Sequence, residues 1–146
     1  MPDEFPALNN VLLEIQVPDF KRVKKFYIKL GFEKIWERKP EEFKGYLIMK
    51  LEDNVLCFWG GNEHIYEQEY FKKFPKNTPR GVGMEIVLMV KDIEDYFEQV
   101  KNKVEIFEPL QDRPWGLKDF RVVDPFGFYL RFTSPHNILN SKYAVK

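Results

Sequence analysis

A chain of 146 residues is long enough for one domain, or for two small modules sharing one core. Lys plus Arg (23) balance Asp plus Glu (23), so no general field draws the chain to nucleic acid or to an anionic membrane. The one cysteine, Cys57, excludes an intrachain disulfide and a cysteine-based zinc cluster.

A free thiol fits a reducing compartment. The opening residues, Met1-Pro2-Asp3-Glu4-Phe5, lack the basic and then apolar run of a secretory signal. No apolar run approaches the ~20 residues that span a bilayer. The expectation is a cytoplasmic protein that binds neither membrane nor nucleic acid. The 14 Phe, 7 Tyr and 3 Trp supply ample apolar area for a firm core.

Leu12 to Asp19 reads as a strand ending at an aspartate. Val23, Phe26, Tyr27 and Leu30 then recur at the spacing of an amphipathic helix, with Asp19 placed as its N-cap and Gly31 as its left-handed stop. Glu33 to Arg38 is a short strand, and Tyr46 to Trp59 reads as strand, tight turn at Glu52-Asp53-Asn54, strand. A polar connector, Gly60 to Gly81, follows, with a candidate helix over Glu63 to Phe74 that sets Ile65, Tyr66, Tyr70 and Phe74 on one side.

The pattern then repeats. Glu85 to Asp92 can be laid on Leu12 to Asp19 at an offset of 73 residues. Asp92 is expected to cap a second helix carrying Ile93, Tyr96, Phe97 and Val100, and Val104 to Phe107 to form the next strand. At the same offset Asp119 to Phe132 lies over Tyr46 to Trp59, turning at Asp124-Pro125-Phe126-Gly127. The expected boundaries are a first βαβββ module at 8–60, a connector at 61–81, a second module at 82–135 and a mostly polar tail at 136–146.

Three stretches carry a family likeness: VPDFKRVKKFYIKLGFE (Val17 to Glu33), VKDIEDYFEQV (Val90 to Val100) and PWGLKDFRVVDPFGFYLRF (Pro114 to Phe132). With the repeat, they make the chain resemble the vicinal oxygen chelate superfamily of glyoxalases, bleomycin-resistance proteins and extradiol dioxygenases, over roughly Val11 to Ser134. The resemblance implies an α+β fold in which two βαβββ modules form a curled mixed sheet around a central cleft. It also implies a homodimer.

Enzymes of that superfamily hold a divalent ion on the first and last strands of each module, through His or Glu. The motif match places those four positions at Leu12, Phe58, Glu85 and Arg131, and only Glu85 is a ligand type. An arginine repels a cation. The expectation is therefore no metal and no cofactor, with Glu85 and Arg131 paired where the ion would sit. Glu14 joins them by strand alternation from Leu12.

Trp36, Tyr46, Phe58, Trp115 and Tyr129 add aromatic surface, so the expected ligand-binding set is these five with Glu14, Glu85 and Arg131. His64 and His136 fall in the connector and the tail and are read as surface residues; Cys57 is read as a structural thiol on the helix-packed face. The basic run Lys21-Arg22-Lys24-Lys25 is read as a solvated helix face. The reading that results is a metal-independent small-molecule binder, antibiotic-sequestering by resemblance and without catalytic residues. The alternatives are a lyase, isomerase or dioxygenase with a non-standard site, and an interaction module with no ligand.

Overall fold

The computed structural model describes residues 11–38, 45–60 and 65–144. In chain order the first module comprises β1 (Glu14–Gln16), α1 (Phe20–Lys29), β2 (Glu33–Arg38), β3 (Tyr46–Leu51) and β4 (Asn54–Trp59). The second comprises β5 (Glu85–Met89), α2 (Ile93–Val100), β6 (Glu108–Asp112), β7 (Lys118–Val123) and β8 (Tyr129–Thr133). Two four-stranded mixed sheets result, ordered β1-β4-β3-β2 and β5-β8-β7-β6, with only the β1–β4 and β5–β8 pairs parallel. The fold is α+β, built from two βαβββ modules.

Alternation sets the two sides of each sheet. Ile15, Val17, Leu47, Met49, Leu56 and Phe58 turn to the helices in the first sheet; Ile86, Leu88, Phe120, Val122, Leu130 and Phe132 do so in the second. These residues and the apolar stripes of both helices form one continuous core. Tyr27 from α1 packs on Phe58, and Tyr96 from α2 on Phe132, with ring centroids 5.1 and 5.3 Å apart.

The ends of α1 follow the sequence. Asp19 Oδ1 accepts from the Lys21 N–H at 2.8 Å. At the other end Gly31, at φ +93°, donates to Ile28 and Phe32 to Tyr27, a Schellman closure. Asp92 corrects the expectation for α2. It sits at φ +50° and its side chain makes no cap bond; instead Glu52, from the first hairpin turn, accepts the Lys91 N–H at 3.0 Å.

Two element assignments also change. The strand expected at Val104 to Phe107 begins at Glu108 and carries Pro109. As an edge strand β6 tolerates a residue with no N–H, so Pro109 lies inside the strand. The connector helix expected over Glu63 to Phe74 does not extend past Ile65 among the described residues 65–74, of which Ile65 alone is α-helical. From Tyr66 the chain runs through turns to a 3₁₀ turn at Phe71–Lys73, and its aromatic rings spread around a cavity instead of lining one helix stripe.

The hairpins differ by one residue. In the first, Leu51 pairs Asn54 across a two-residue turn. In the second, Asp124 donates to Phe128 and Gly127 to Asp124, leaving three residues in the turn. The offset of 73 holds from β3 to β7, where Tyr46 matches Asp119. It becomes 74 from β4 to β8, because Trp59 pairs Tyr46 whereas Thr133 pairs Asp119. A one-residue slip reverses every side chain of a strand. Phe58 thus matches Phe132, and Cys57 matches Arg131.

Candidate functional site

That register redraws the site. Phe58, expected in the cleft, is fully buried under Tyr27 on the helix side. Cys57, expected on the helix side, faces the other way beside Glu14, its neighbour across the β1–β4 pair. Cys57 remains buried at 3% exposure.

The seven remaining candidates fall into two groups, one on each sheet face turned away from the helices. On the first face the Tyr46 hydroxyl donates to Glu14 Oε2 at 2.5 Å, and the Trp36 ring lies 6.4 Å from that of Tyr46. Burial, then its contacts with Glu14 and Cys57, drives the Tyr46 hydroxyl pKa well above the usual tyrosine value, so it stays a donor. Gln16 and Trp59 continue this face into a cavity of about 690 Å³ against the connector. Tyr66, Tyr70, Phe71 and Phe74 form its far wall, with Arg80 at one end donating to the Gln16 carbonyl at 2.7 Å. Gln16 also brings a buried side-chain oxygen that accepts no hydrogen bond. The connector aromatics were visible in the sequence as an apolar cluster; that they close a cavity was not.

The second face holds Glu85, Tyr129, Arg131 and Trp115, and two polar residues that strand alternation alone would have marked. Asp119 and Arg121 are the inward polar pair of β7, and Arg121 lies directly opposite Arg131. The expected Glu85–Arg131 pairing is loose: the Arg131 Nε stands 3.6 Å from Glu85 Oε1, which accepts its hydrogen bond from Arg121 Nε at 3.0 Å. Arg121 also reaches Glu108 at 2.9 Å and Asp119 at 3.2 Å, and Arg113 reaches the same two carboxylates at 2.7 Å. Hydrogen bonding to Arg113 is the leading reason the Glu108 carboxyl lies below its usual pKa. Asp119 is fully buried, and the two arginines give its Oδ1 hydrogen-bond donors there. A smaller cavity, about 470 Å³, has Glu85 and Tyr129 in its wall.

The metal positions implied by resemblance do not suit a cation. Leu12 has no lone pair, Phe58 is in the core, and Arg131 faces Glu85. Among the described residues no group of three or more His, Cys, Asp or Glu is placed to hold a metal ion. His64 lies outside the described residues. His136 Nδ1 is 2.9 Å from the Ser134 carbonyl, within the tail.

Two βαβββ modules with paired faces turned from their helices define the class of protein. The chain belongs to the Glyoxalase/Bleomycin resistance protein/Dioxygenase superfamily, whose family model matches residues 8–132. None of the curated proteins matches it by sequence. Among solved structures it is similar to a bleomycin-binding protein complexed with bleomycin (TM-score 0.61, 19% identity, covering 88% of this chain and 99% of that one). It is also similar to a bleomycin resistance determinant encoded on the transposon Tn5 (0.64, 20%, 88% and 99%). A third is TioX from Micromonospora sp. ML1 (0.61, 20%, 88% and 98%). At these identities the likeness shows the fold. No helix among the described residues is long and apolar enough to cross a membrane.

Proposed function

We propose that the protein binds a small organic molecule without a metal ion and acts by sequestering it in the cytoplasm. The observation that carries this is the cavity of about 690 Å³ beside the first sheet, within the size range of small-molecule sites. Its walls suit a ligand with an apolar or aromatic body and a hydrogen-bond donor. Trp59, Tyr66, Tyr70 and Phe74 supply faces for stacking, and Glu14 and Gln16 supply acceptors. Trp36 and Tyr46 extend the same surface outward. Two of the similar structures are of proteins named for bleomycin, which supports a binding role and leaves this chain's own ligand open.

The reading includes a homodimer. Trp36 is 49% exposed on the first face, and Val87 and Val123 are 37% and 41% exposed on the second. A second copy would cover such apolar surface.

Thermal-shift screening tests the function, using bleomycin, other aromatic antibiotics and common metabolites, with and without added Ni, Zn, Mn or Fe. A ligand at a hundredfold excess over its Kd adds about 2.7 kcal/mol, on the order of 8 °C for a chain of this size. The shift is expected without metal and lost in a Trp59→Ala, Tyr70→Ala double variant. A screen with no stabilising compound, or shifts that appear only with metal, would overturn it.

A further inference from the structure

We infer that the inner face of the second sheet carries a separate anion site, in which the Arg131 guanidinium takes the carboxylate of a small aromatic acid. Arg131 is 9% exposed, and its Nε and Nη1 are buried with no hydrogen-bond acceptor. A guanidinium carries five donors in a fixed fork, and burying them unmatched is costly. Its nearest carboxylate oxygen, on Glu85, is 3.6 Å away and already engaged by Arg121.

The neighbouring carboxylates do not correct this. Glu108 is committed to Arg113 and Arg121, and Asp119 meets both through Oδ1; its buried Oδ2 has no hydrogen-bond donor, yet forms no ion pair with Arg131. Arg121 and Arg131 stand directly opposite each other on β7 and β8, a like-charge pairing that destabilises a sheet unless anions lie between. Arg121 has three such anions as partners, and Arg131 has one loose contact. A carboxylate meets a guanidinium along one edge, Nη2 with Nε or Nη2 with Nη1, so a planar pair of anionic oxygens would supply one of the two unmatched donors with its acceptor.

The surroundings say what kind of acid. The Trp115 ring lies 5.6 Å from the Arg131 guanidinium carbon, so the cation already has an aromatic face above it. Trp115 stands on a tight turn closed by the Arg113 N–H to the Leu117 carbonyl, with Gly116 at φ +86°. Because Arg131 is buried, the acid has to displace part of its cover to reach the guanidinium. Tyr129 and Glu85, which border the cluster, also line the 470 Å³ cavity, so open space reaches its edge. An acid with a ring can hold its carboxylate to Arg131 and its ring between Trp115 and Tyr129. The 470 Å³ cavity shares Pro79, Arg80, Gly81, Val82 and Met84 with the wall of the connector cavity, whereas Arg131 and Trp115 line neither, so the anion-binding groups are distinct from those proposed to hold the connector ligand.

The test is an NMR titration of the arginine Nε–H signals with benzoate, benzamide and benzylamine, three probes of one shape and different charge. The Arg131 signal is identified by its loss in Arg131→Lys. Benzoate is expected to shift it in the wild-type protein and to change Trp115 fluorescence, while benzamide and benzylamine do neither. Arg131→Lys keeps the charge and loses the fork, so benzoate should bind roughly tenfold more weakly; Arg131→Gln should lose the response. An Arg131 signal unmoved by benzoate overturns the inference, as does equal binding of the neutral or cationic probe, or undiminished binding to Arg131→Gln. The wild-type titration needs no variant to fold. Because it reads Arg131 alone, it can fail while the connector cavity binds its own ligand, and the reverse.

Discussion

Arg121 and Arg131 are the same residue type, equally exposed and directly opposed, yet their surroundings give them opposite energetic roles. Arg121 contacts Glu85, Glu108 and Asp119, so Arg121→Met leaves Glu85 without its hydrogen bond and the other two with Arg113 alone, and should cost about 3–5 kcal/mol. Arg131→Met removes a cation with two unmatched buried N–H groups and leaves Glu85 bonded to Arg121. It should be neutral or stabilising, by up to about 1 kcal/mol. Urea midpoints of the two variants check the contrast, and a large loss for Arg131→Met would mean that Arg131 serves the fold. Asp124 gives a pH-dependent case. Burial raises its carboxyl above the ordinary 3.8, although N–H groups of Phe128 and Phe126 and the Tyr27 hydroxyl pull it down. Between the unfolded and the raised folded value the native state binds more protons than the unfolded chain. Stability from this group is therefore present below pH 3.8 and is lost as pH rises through the folded value. Relative to Asp124→Asn, which does not titrate, the wild type should lose stability across that window and run parallel above it. Tyr27→Phe removes one lowering donor and should extend the window upward.

At the scale of elements, the misplacement of Phe58 and Cys57 has one physical cause. Helix stripes, the Asp19 cap and the Gly31 stop are local patterns, and each is present as written in the residues around it. Strand faces depend on turn length. On either side of the second turn the residues remain apolar and alternating, so the extra residue between Asp124 and Phe128 leaves no mark in the hydropathy pattern. That slip moved Phe58 from the supposed cleft into the core and Cys57 out of the helix side. The β5 and β8 candidates, Glu85 and Arg131 from the motif match and Tyr129 beside them, share the sheet face turned away from the helices. The carboxylate partners of Arg121 come from β5, β6 and β7, which no single-strand pattern connects. The connector joins the second hairpin through a close backbone approach. A Cβ on Gly81, at φ +71°, would meet Phe128 Cδ1 at 2.8 Å and its Cα at 3.3 Å. One on Gly127, at φ +97°, would meet the Arg80 carbonyl at 3.3 Å. Gly83, at φ +83°, has nothing within 4 Å of such an atom. Gly83→Ala should therefore cost only the left-handed strain of about 1–2 kcal/mol. Gly127→Ala should cost more and Gly81→Ala the most, an order that denaturant midpoints can check.

Across the whole molecule, each module's hairpin turn is held by the other module. The Tyr27 hydroxyl of α1 donates to Asp124 in the second turn at 2.8 Å. Asn54, closing the first turn, donates to the Met89 carbonyl at 2.8 Å and accepts from the Met89 N–H at 3.4 Å, while Glu52 takes the Lys91 N–H. The Tyr96 hydroxyl of α2 reaches the Leu30 carbonyl at the end of α1, 2.7 Å away. These bonds surround a core to which both modules contribute, so neither has a complete apolar interior alone. The chain should unfold as one cooperative unit despite its internal repeat. The tryptophans allow this to be measured, since Trp36 and Trp59 report on the first module and Trp115 on the second. Trp115→Phe isolates the first-module signal, and its urea transition should coincide with the circular dichroism of the whole chain. Asn54→Ala should lower both midpoints together, by about 1–3 kcal/mol for a side chain that bridges two modules. A first-module transition that moves while the rest stays would show two independent folding units. The reciprocal bracing of the turns would then hold two finished modules together, where the shared core requires it to complete one.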